Sequence, residues 1–209
     1  LTDVRDALFI STVKDVEPTV ITEATDLITL GFTTSDSMYK KVADAFGQGG
    51  IDNILIYGVD MVTGTSMTPE SVMEAYDNHV LATDYTILIL DVVDMAKAQL
   101  WATAFKPLID SKHLFLQFNT VTNTIAKINT FKTTNNLDNV SVFVIDNDTY
   151  TNNLDSITWA RVRNRDLGSY IVHSTEVRNV MKPEWTKTEQ QNLKDMGLNF
   201  ISNPIRGKF

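Results

Sequence analysis

The sequence contains no cysteine. This absence excludes disulfide bonds, thiolate zinc sites, cysteine nucleophiles and thiol redox switches, and it suits a protein kept in a reducing cytosol. Histidine is also scarce. His79, His113 and His173 stand apart, without the H-x-x-x-H or H-E-x-x-H spacing of a zinc site. We therefore expect no cofactor, and neither residue type points to a catalytic group.

The sequence also has fewer basic than acidic residues, and it has no long apolar run. The 18 lysines and arginines against 26 aspartates and glutamates give a formal net charge of −8, whereas a protein that grips nucleic acid usually presents a basic face. No run approaches the roughly 20 apolar residues of a membrane span, and no basic-then-apolar start indicates a signal peptide. We expect neither nucleic acid nor membrane as a partner.

The chain does contain a regular alternation of strand-like and helix-like segments. Its 209 residues are 43% hydrophobic, which is enough for one domain with a substantial core. Short runs rich in β-branched and aromatic residues predict strands. The predicted strands are residues 7–13, 54–59, 85–90, 114–118, 140–145 and 198–201.

Amphipathic segments between these runs predict helices. They begin near residue 34 and at residues 69, 93, 121, 154 and 187, while the stretch 17–32 has no clear period. This order predicts an α/β fold in which a mostly parallel or mixed sheet is covered by helices on both faces. We expect one body over residues 1–209, with a smaller terminal subregion at about 166–209.

Helix ends and helix faces are also predicted in detail. Thr68 and Pro69 form a helix start, and Thr186 with Glu189 forms a capping box. The apolar spacing predicts two sets of inward-facing side chains, Val72, Met73, Tyr76 and Val80 on one helix and Met95, Ala98, Leu100, Trp101, Ala104 and Phe105 on the next.

Three aspartates follow predicted strands: Asp60, Asp91 and Asp146, with Asp148 two residues later. Because ligands of open parallel sheets bind at the carboxyl ends of the strands, these carboxylates could converge on a divalent cation that polarises a phosphate. The alternative is that they are turn formers and helix caps. No lysine or arginine is positioned beside them as an enzyme of this kind needs.

The glycines of FGQGG, Gly47, Gly49 and Gly50, are the other candidate for phosphate chemistry. They come after a predicted helix and before a predicted strand, whereas a phosphate loop leads from a strand into a helix. We therefore expect a helix C-terminal turn. Ser66 lacks the G-x-S-x-G context of a serine nucleophile.

The segment 35–59, SDSMYKKVADAFGQGGIDNILIYGV, resembles contractile phage tail sheath proteins, in which a helix ends in an F-x-Q-G-G turn and leads into a strand. Phe46, Gln48, Gly49 and Gly50 supply the turn.

A second stretch carries the same resemblance and extends it over most of the chain. Leu167-Gly168-Ser169 matches a G-S turn before a strand, and Trp185 stands where the family pattern has leucine. The stretch also matches the family pattern of a helix start, a following leucine and a closing N-x-[FYI]. The residues of these matches are Val180 to Pro183, Thr186, Thr188, Glu189, Leu193 and Asn199.

The resemblance implies a structural subunit without an active site. Such subunits assemble as hexameric rings in a helical tube around a tail tube, and they contract to drive the tube through the host envelope. The implied partners are other copies of the chain, the tail tube protein, and baseplate and tail terminator proteins. The implied location is the virion, after assembly in the host cytoplasm.

Family members also carry an N-terminal arm and a C-terminal region beyond the G-x-F that ends here at Phe209. These arms are implied to add strands to the sheets of neighbouring subunits. Because the sequence starts at Leu1 without methionine, we expect a piece of a longer chain that holds the body without its arms and is a monomer in solution.

Basic side chains are the predicted subunit contacts of this acidic body. They could pair with acidic groups of a neighbouring copy and pair again after sliding. The candidates are Lys40, Lys41, Arg161, Arg163, Arg165 and Lys182. Two other functions stay open: a metal-dependent α/β enzyme that acts on a phosphorylated substrate through the strand-end aspartates, and an α/β module that binds a small molecule or a protein.

Overall fold

Seven strands form one sheet in the computed structural model, which describes residues 6–61, 67–91, 94–120, 122–135, 138–146, 153–163 and 185–200. In chain order they are β1 (Ala7–Ser11), β2 (Val16–Ile21), β3 (Ile54–Gly58), β4 (Ile87–Leu90), β5 (His113–Asn119), β6 (Val140–Ile145) and β7 (Asn199–Phe200). Six of these strands coincide with the predicted ones.

The strands lie side by side in the order β2-β3-β1-β4-β5-β6-β7. Neighbours pair in parallel, except that β2 is antiparallel to β3. The chain moves from β1 to β3 on one side and then to β4 and onward on the other, so the strand order reverses between β1 and β4. The mixed, mostly parallel sheet confirms the predicted α/β fold.

Helices cover both faces of this sheet because side chains of a buried strand alternate between the faces. Leu8 and Ile10 of β1 belong to one apolar cluster and Phe9 belongs to the other. The first face carries α3 (Pro69–Asp77), α4 (Met95–Phe105), α5 (Ile125–Asn135) and α7 (Lys187–Asp195). The second carries α1 (Asp26–Thr29), α2 (Ser37–Gly47) and α6 (Leu154–Arg163).

Two of the predicted core residues are exposed instead. Val80 is 91% exposed because α3 ends at Asp77 and leaves Val80 in the following turn. Leu100 is 57% exposed on the outer side of α4, whose inner side buries Trp101 and Phe105. Apolar spacing thus overestimated the length of α3 and the width of the buried face of α4.

The stretch 17–32 contains an edge strand and a one-turn helix, β2 and α1. Pro18 is tolerated in β2 because an edge strand leaves one row of backbone groups without a partner strand. The register shifts between Val16 and Thr19, and Val20 is 58% exposed. A strand that is irregular and half-exposed shows no clean period, which explains the ambiguity of its sequence.

The predicted capping box is confirmed at α7. Thr186 Oγ1 accepts a hydrogen bond from Glu189 N at 3.2 Å, and Glu189 Oε2 accepts one from Thr186 N at 2.8 Å. Strand β7 then pairs with β6. The described part of the expected terminal subregion thus belongs to the same sheet as the rest of the body.

Candidate functional site

Asp91 follows β4 and binds the end of β1, at the point where the strand order reverses. Its Oδ2 accepts a hydrogen bond from Ser11 Oγ at 2.8 Å, and its Oδ1 accepts one from Thr12 Oγ1 at 2.9 Å. The Thr12 amide nitrogen lies 3.0 Å from both oxygens. Asp91 is buried, and its carboxylate ties the carboxyl ends of two neighbouring strands together.

The three strand-end aspartates do not converge. Neighbouring strands lie about 4.8 Å apart, so Asp60 after β3 and Asp91 after β4 are two strands apart, and Asp146 after β6 is two strands further. Donor atoms around one cation lie about 2.0–2.6 Å from it. The predicted convergence of these carboxylates on one metal ion is therefore wrong.

No other metal centre replaces it within the described ranges, where no group of three or more histidines, aspartates and glutamates could hold an ion. Asp91 is not a helix cap either, since the cap of α4 is Asp94, whose Oδ1 accepts a hydrogen bond from Lys97 N at 2.7 Å. Asp148 lies outside the described residues.

A cleft of about 170 Å³ opens beside Asp91, at the carboxyl ends of the central strands. Ser37 and Lys41 line it from α2, where they stand one helical turn apart. Most of the other lining residues are polar, including Gln117 and Asn119 at the end of β5, and Phe118 and Ile145 are the apolar ones. Residues from five separate chain segments therefore meet at this point of the sheet.

Lys41 is buried and forms an ion pair with Asp155 of α6. Its side chain is 5% exposed, and that of Asp155 is 0% exposed. The second oxygen of Asp155 accepts a hydrogen bond from Ser156 N at 2.7 Å. In the described structure the ammonium of Lys41 thus pairs with a carboxylate of its own chain, and a contact of Lys41 with a neighbouring subunit stays a prediction.

The Lys41–Asp155 pair is one of three polar contacts that we call the α2–α6 seam, and that join α2 and its C-cap residue Gln48 to α6 and the residue before it, Asn153. Asp44 Oδ2 accepts hydrogen bonds from Asn153 N at 3.1 Å and from Asn153 Nδ2 at 2.7 Å. Burial raises the pKa of the Asp44 carboxyl, and the Asn153 donors partly offset that effect. Polar residues, rather than apolar ones alone, thus fix how α6 lies against α2.

The third tie of the seam comes from the F-x-Q-G-G turn. Gln48 is 3% exposed, and its Oε1 accepts a hydrogen bond from Arg161 Nε at 3.1 Å. Gly49 and Gly50 adopt φ of 78° and 74°, a left-handed conformation that favours glycine. These residues end α2 and lead to β3, so the predicted helix C-terminal turn is confirmed.

The predicted basic contacts divide into internal and outward-facing groups. Arg161 binds Gln48, and Arg163 Nη2 lies 3.2 Å from Asp6 Oδ1, with both side chains about a third exposed. Lys40 is partly exposed on α2. Arg165 and Lys182 lie outside the described residues.

Histidines show no shared site among the described residues. His113 Nε2 lies 2.9 Å from Ser141 Oγ across β5 and β6, and burial lowers the pKa of its imidazole. His79 Nε2 lies 2.6 Å from Glu17 Oε2 on the protein surface. His173 is outside the described ranges.

Sequence reasoning missed Asp155, Asn153 and Gln117 as parts of this region. Gln117 Oε1 accepts a hydrogen bond from Asp155 N at 3.3 Å and also binds Leu154 N, so it caps the start of α6. A signal in the sequence was the polar pair Asp155 and Ser156 at the start of a helix whose other buried residues are apolar.

Neither a protein-family model nor a curated protein matches this chain. Of the helices in the described ranges, none combines the length and the apolar character needed to cross a bilayer.

Proposed function

We propose that this chain is a structural subunit of a contractile phage tail sheath, with a mechanical and not a catalytic role. In this role it assembles into helical rings around a tail tube, within the virion, and contracts to drive the tube through the host envelope. Its partners are other copies of itself, the tube protein, and baseplate and terminator proteins.

The observation that carries this proposal is the conformation of the segment that resembles sheath proteins. Helix α2, the left-handed Gly49-Gly50 turn and strand β3 follow one another as the resemblance implies. Gln48 is buried and holds Arg161 of α6, which gives a physical reason for that residue type in the turn. The second resembling stretch is described over α7 and β7.

The β2 edge of the described sheet bears on where strand exchange between subunits could take place. Edge β2 contains Pro18, the charged Glu17 and a register shift, and Thr19 Oγ1 already binds the Glu17 carbonyl oxygen at 2.7 Å. Such features disfavour the addition of another strand. We therefore expect that an arm of a neighbouring copy does not add beside β2.

The polar contacts of α2 and α6 support a subunit that moves as one rigid body. Sliding between two helical arrangements requires that the contacts between subunits change while the fold within each subunit does not. Lys41, Asp44 and Gln48 fix α6 against the body, and Lys40 stays available for contacts between subunits.

Electron microscopy of the full-length protein tests the proposal. Rings or tubes are the expected result, and a monodisperse small oligomer would contradict it.

Charge reversal in Lys40→Glu is expected to reduce tube formation without changing the unfolding midpoint. Lys194→Glu, at an exposed position of α7, is the matched control and should assemble normally; equal assembly by both variants would remove Lys40 from the interface.

A further inference from the structure

The cleft beside Asp91 presents hydrogen-bond donors for which the described residues supply no acceptor. An ammonium group has three N–H donors, and within the described residues the only acceptor for Lys41 Nζ is Asp155 Oδ2. Asn119 Oδ1 accepts hydrogen bonds from Thr122 N at 2.8 Å and from Thr122 Oγ1 at 2.6 Å. No acceptor is found for Asn119 Nδ2 in the same part of the chain.

The carboxylates near the cleft, in contrast, already have donors. Asp91 is bound by Ser11 and Thr12, and Asp155 is bound by Lys41 and by Ser156 N. A cation would have to displace these bonds, whereas a ligand with acceptor oxygens would complete the bonding of Lys41 and Asn119. The chemistry of the cleft therefore favours an oxygen-rich acceptor over a metal ion.

The size and the position of the cleft also bear on the class of ligand that it can bind. The volume of about 170 Å³ is well above the roughly 10–15 Å³ that a single water needs, so the cleft has room for an ion such as phosphate. Ligands of open α/β sheets bind outside the carboxyl ends of the strands, and Asp91, Asn119 and Ile145 place the cleft at the carboxyl ends of β4, β5 and β6. We propose that this cleft binds a small oxyanion, of the size and chemistry of inorganic phosphate, through Lys41 Nζ and Asn119 Nδ2.

Nuclear magnetic resonance of the full chain, titrated with inorganic phosphate at constant ionic strength, tests this site. We expect saturable shifts of the Asn119 side-chain amide resonances. Asn119→Asp keeps an oxygen for Thr122 but replaces the donor with a negative oxygen, so phosphate affinity should fall by at least about tenfold. Asn192→Asp introduces the same charge at an exposed position of α7 and should leave the affinity unchanged.

The double variant Lys41→Met/Asp155→Leu removes the ammonium together with its partner and avoids an unpaired buried charge. It should lose phosphate binding, and it decides the matter if Asn119→Asp does not fold. Several results would overturn the proposal: no saturable shift in the wild type, equal affinity in the cleft variants, the same shift with chloride, or saturable binding of Mg²⁺ in place of phosphate. The outcome does not depend on whether the chain forms tubes.

Discussion

Lys41 of α2 and Asp155 of α6 form an ion pair that is almost completely removed from water, with side-chain exposures of 5% and 0%. The two residues are 114 positions apart in the chain. Burial of two charges is costly, and their attraction offsets that cost only while both are present. The pair therefore fixes the position of α6 more than it adds to stability.

Removal of one member of this pair should be far more harmful than removal of both. Lys41→Met leaves the Asp155 carboxylate buried and unpaired, so we expect a loss of about 3–5 kcal/mol in the free energy of unfolding. Lys41→Met/Asp155→Leu should recover most of that loss. Urea denaturation measures both, with Lys40→Met as the neighbouring, partly exposed control. A double variant no more stable than Lys41→Met would contradict this account.

Arg161 and Arg163 should differ in their effect on folding although they lie two positions apart. Arg161→Met leaves the buried Gln48 Oε1 without this donor, and we expect a loss of about 1–2 kcal/mol. The pair of Arg163 with Asp6 is about a third exposed, so Arg163→Met should cost less than about 1 kcal/mol. Thermal or urea unfolding compares them, and the opposite order would show that Arg161 does not support the turn.

Gly58→Ala should destabilise the edge of the sheet. A Cβ at this position would lie 2.2 Å from the Lys14 carbonyl oxygen and 3.1 Å from Val16 N, so backbone atoms of the β1–β2 connection must move. We expect a loss of about 1–3 kcal/mol. The control is Gly47→Ala at the exposed end of α2, where alanine should stabilise by about 0.4–1 kcal/mol. Equal unfolding midpoints for the two variants would refute the expected close contact.

Acid should weaken the protein through His113. Burial lowers the pKa of its imidazole below the ordinary 6.5, so the unfolded chain binds this proton more readily than the native protein. The resulting contribution to stability is fully present above pH 6.5 and is lost as the pH falls from 6.5 through the lowered pKa.

His113→Gln should therefore flatten the fall in unfolding free energy between pH 7 and pH 5. A proton resonance titration of the His113 ring checks the direction of the pKa shift independently. An imidazole that titrates above 6.5 in the native protein would reverse the expected sign.

Local patterns predicted much of this molecule because they depend on contacts within a few residues. The Thr186–Glu189 capping box joins positions three apart, and the Gly49-Gly50 turn needs only a conformation that other residues adopt with difficulty. Continuous apolar runs, such as those of β3 and β6, predicted strands that are buried on both faces of the sheet. The α/β class follows from the order of these elements.

The same patterns failed to predict the burial of side chains that depends on which other elements cover a helix. Val80 and Leu100 continue the apolar spacing of their segments but face outward, because α3 stops early and no described element covers that side of α4. The length of a helix and the width of its covered stripe are set by neighbouring elements, which periodicity does not contain.

The sequence by itself therefore determined the fold class, the helix starts at Thr68 and Thr186 and the turn after α2. Only the tertiary structure decided that Asp60, Asp91 and Asp146 stay apart, that Lys41 meets Asp155, and that a cleft lined by Lys41 and Asn119 opens beside Asp91. The physical reason is that strand order and crossover path set distances between residues far apart in the chain. A residue type within a motif indicates the local backbone conformation, but it does not indicate which strand lies next to that residue in the sheet.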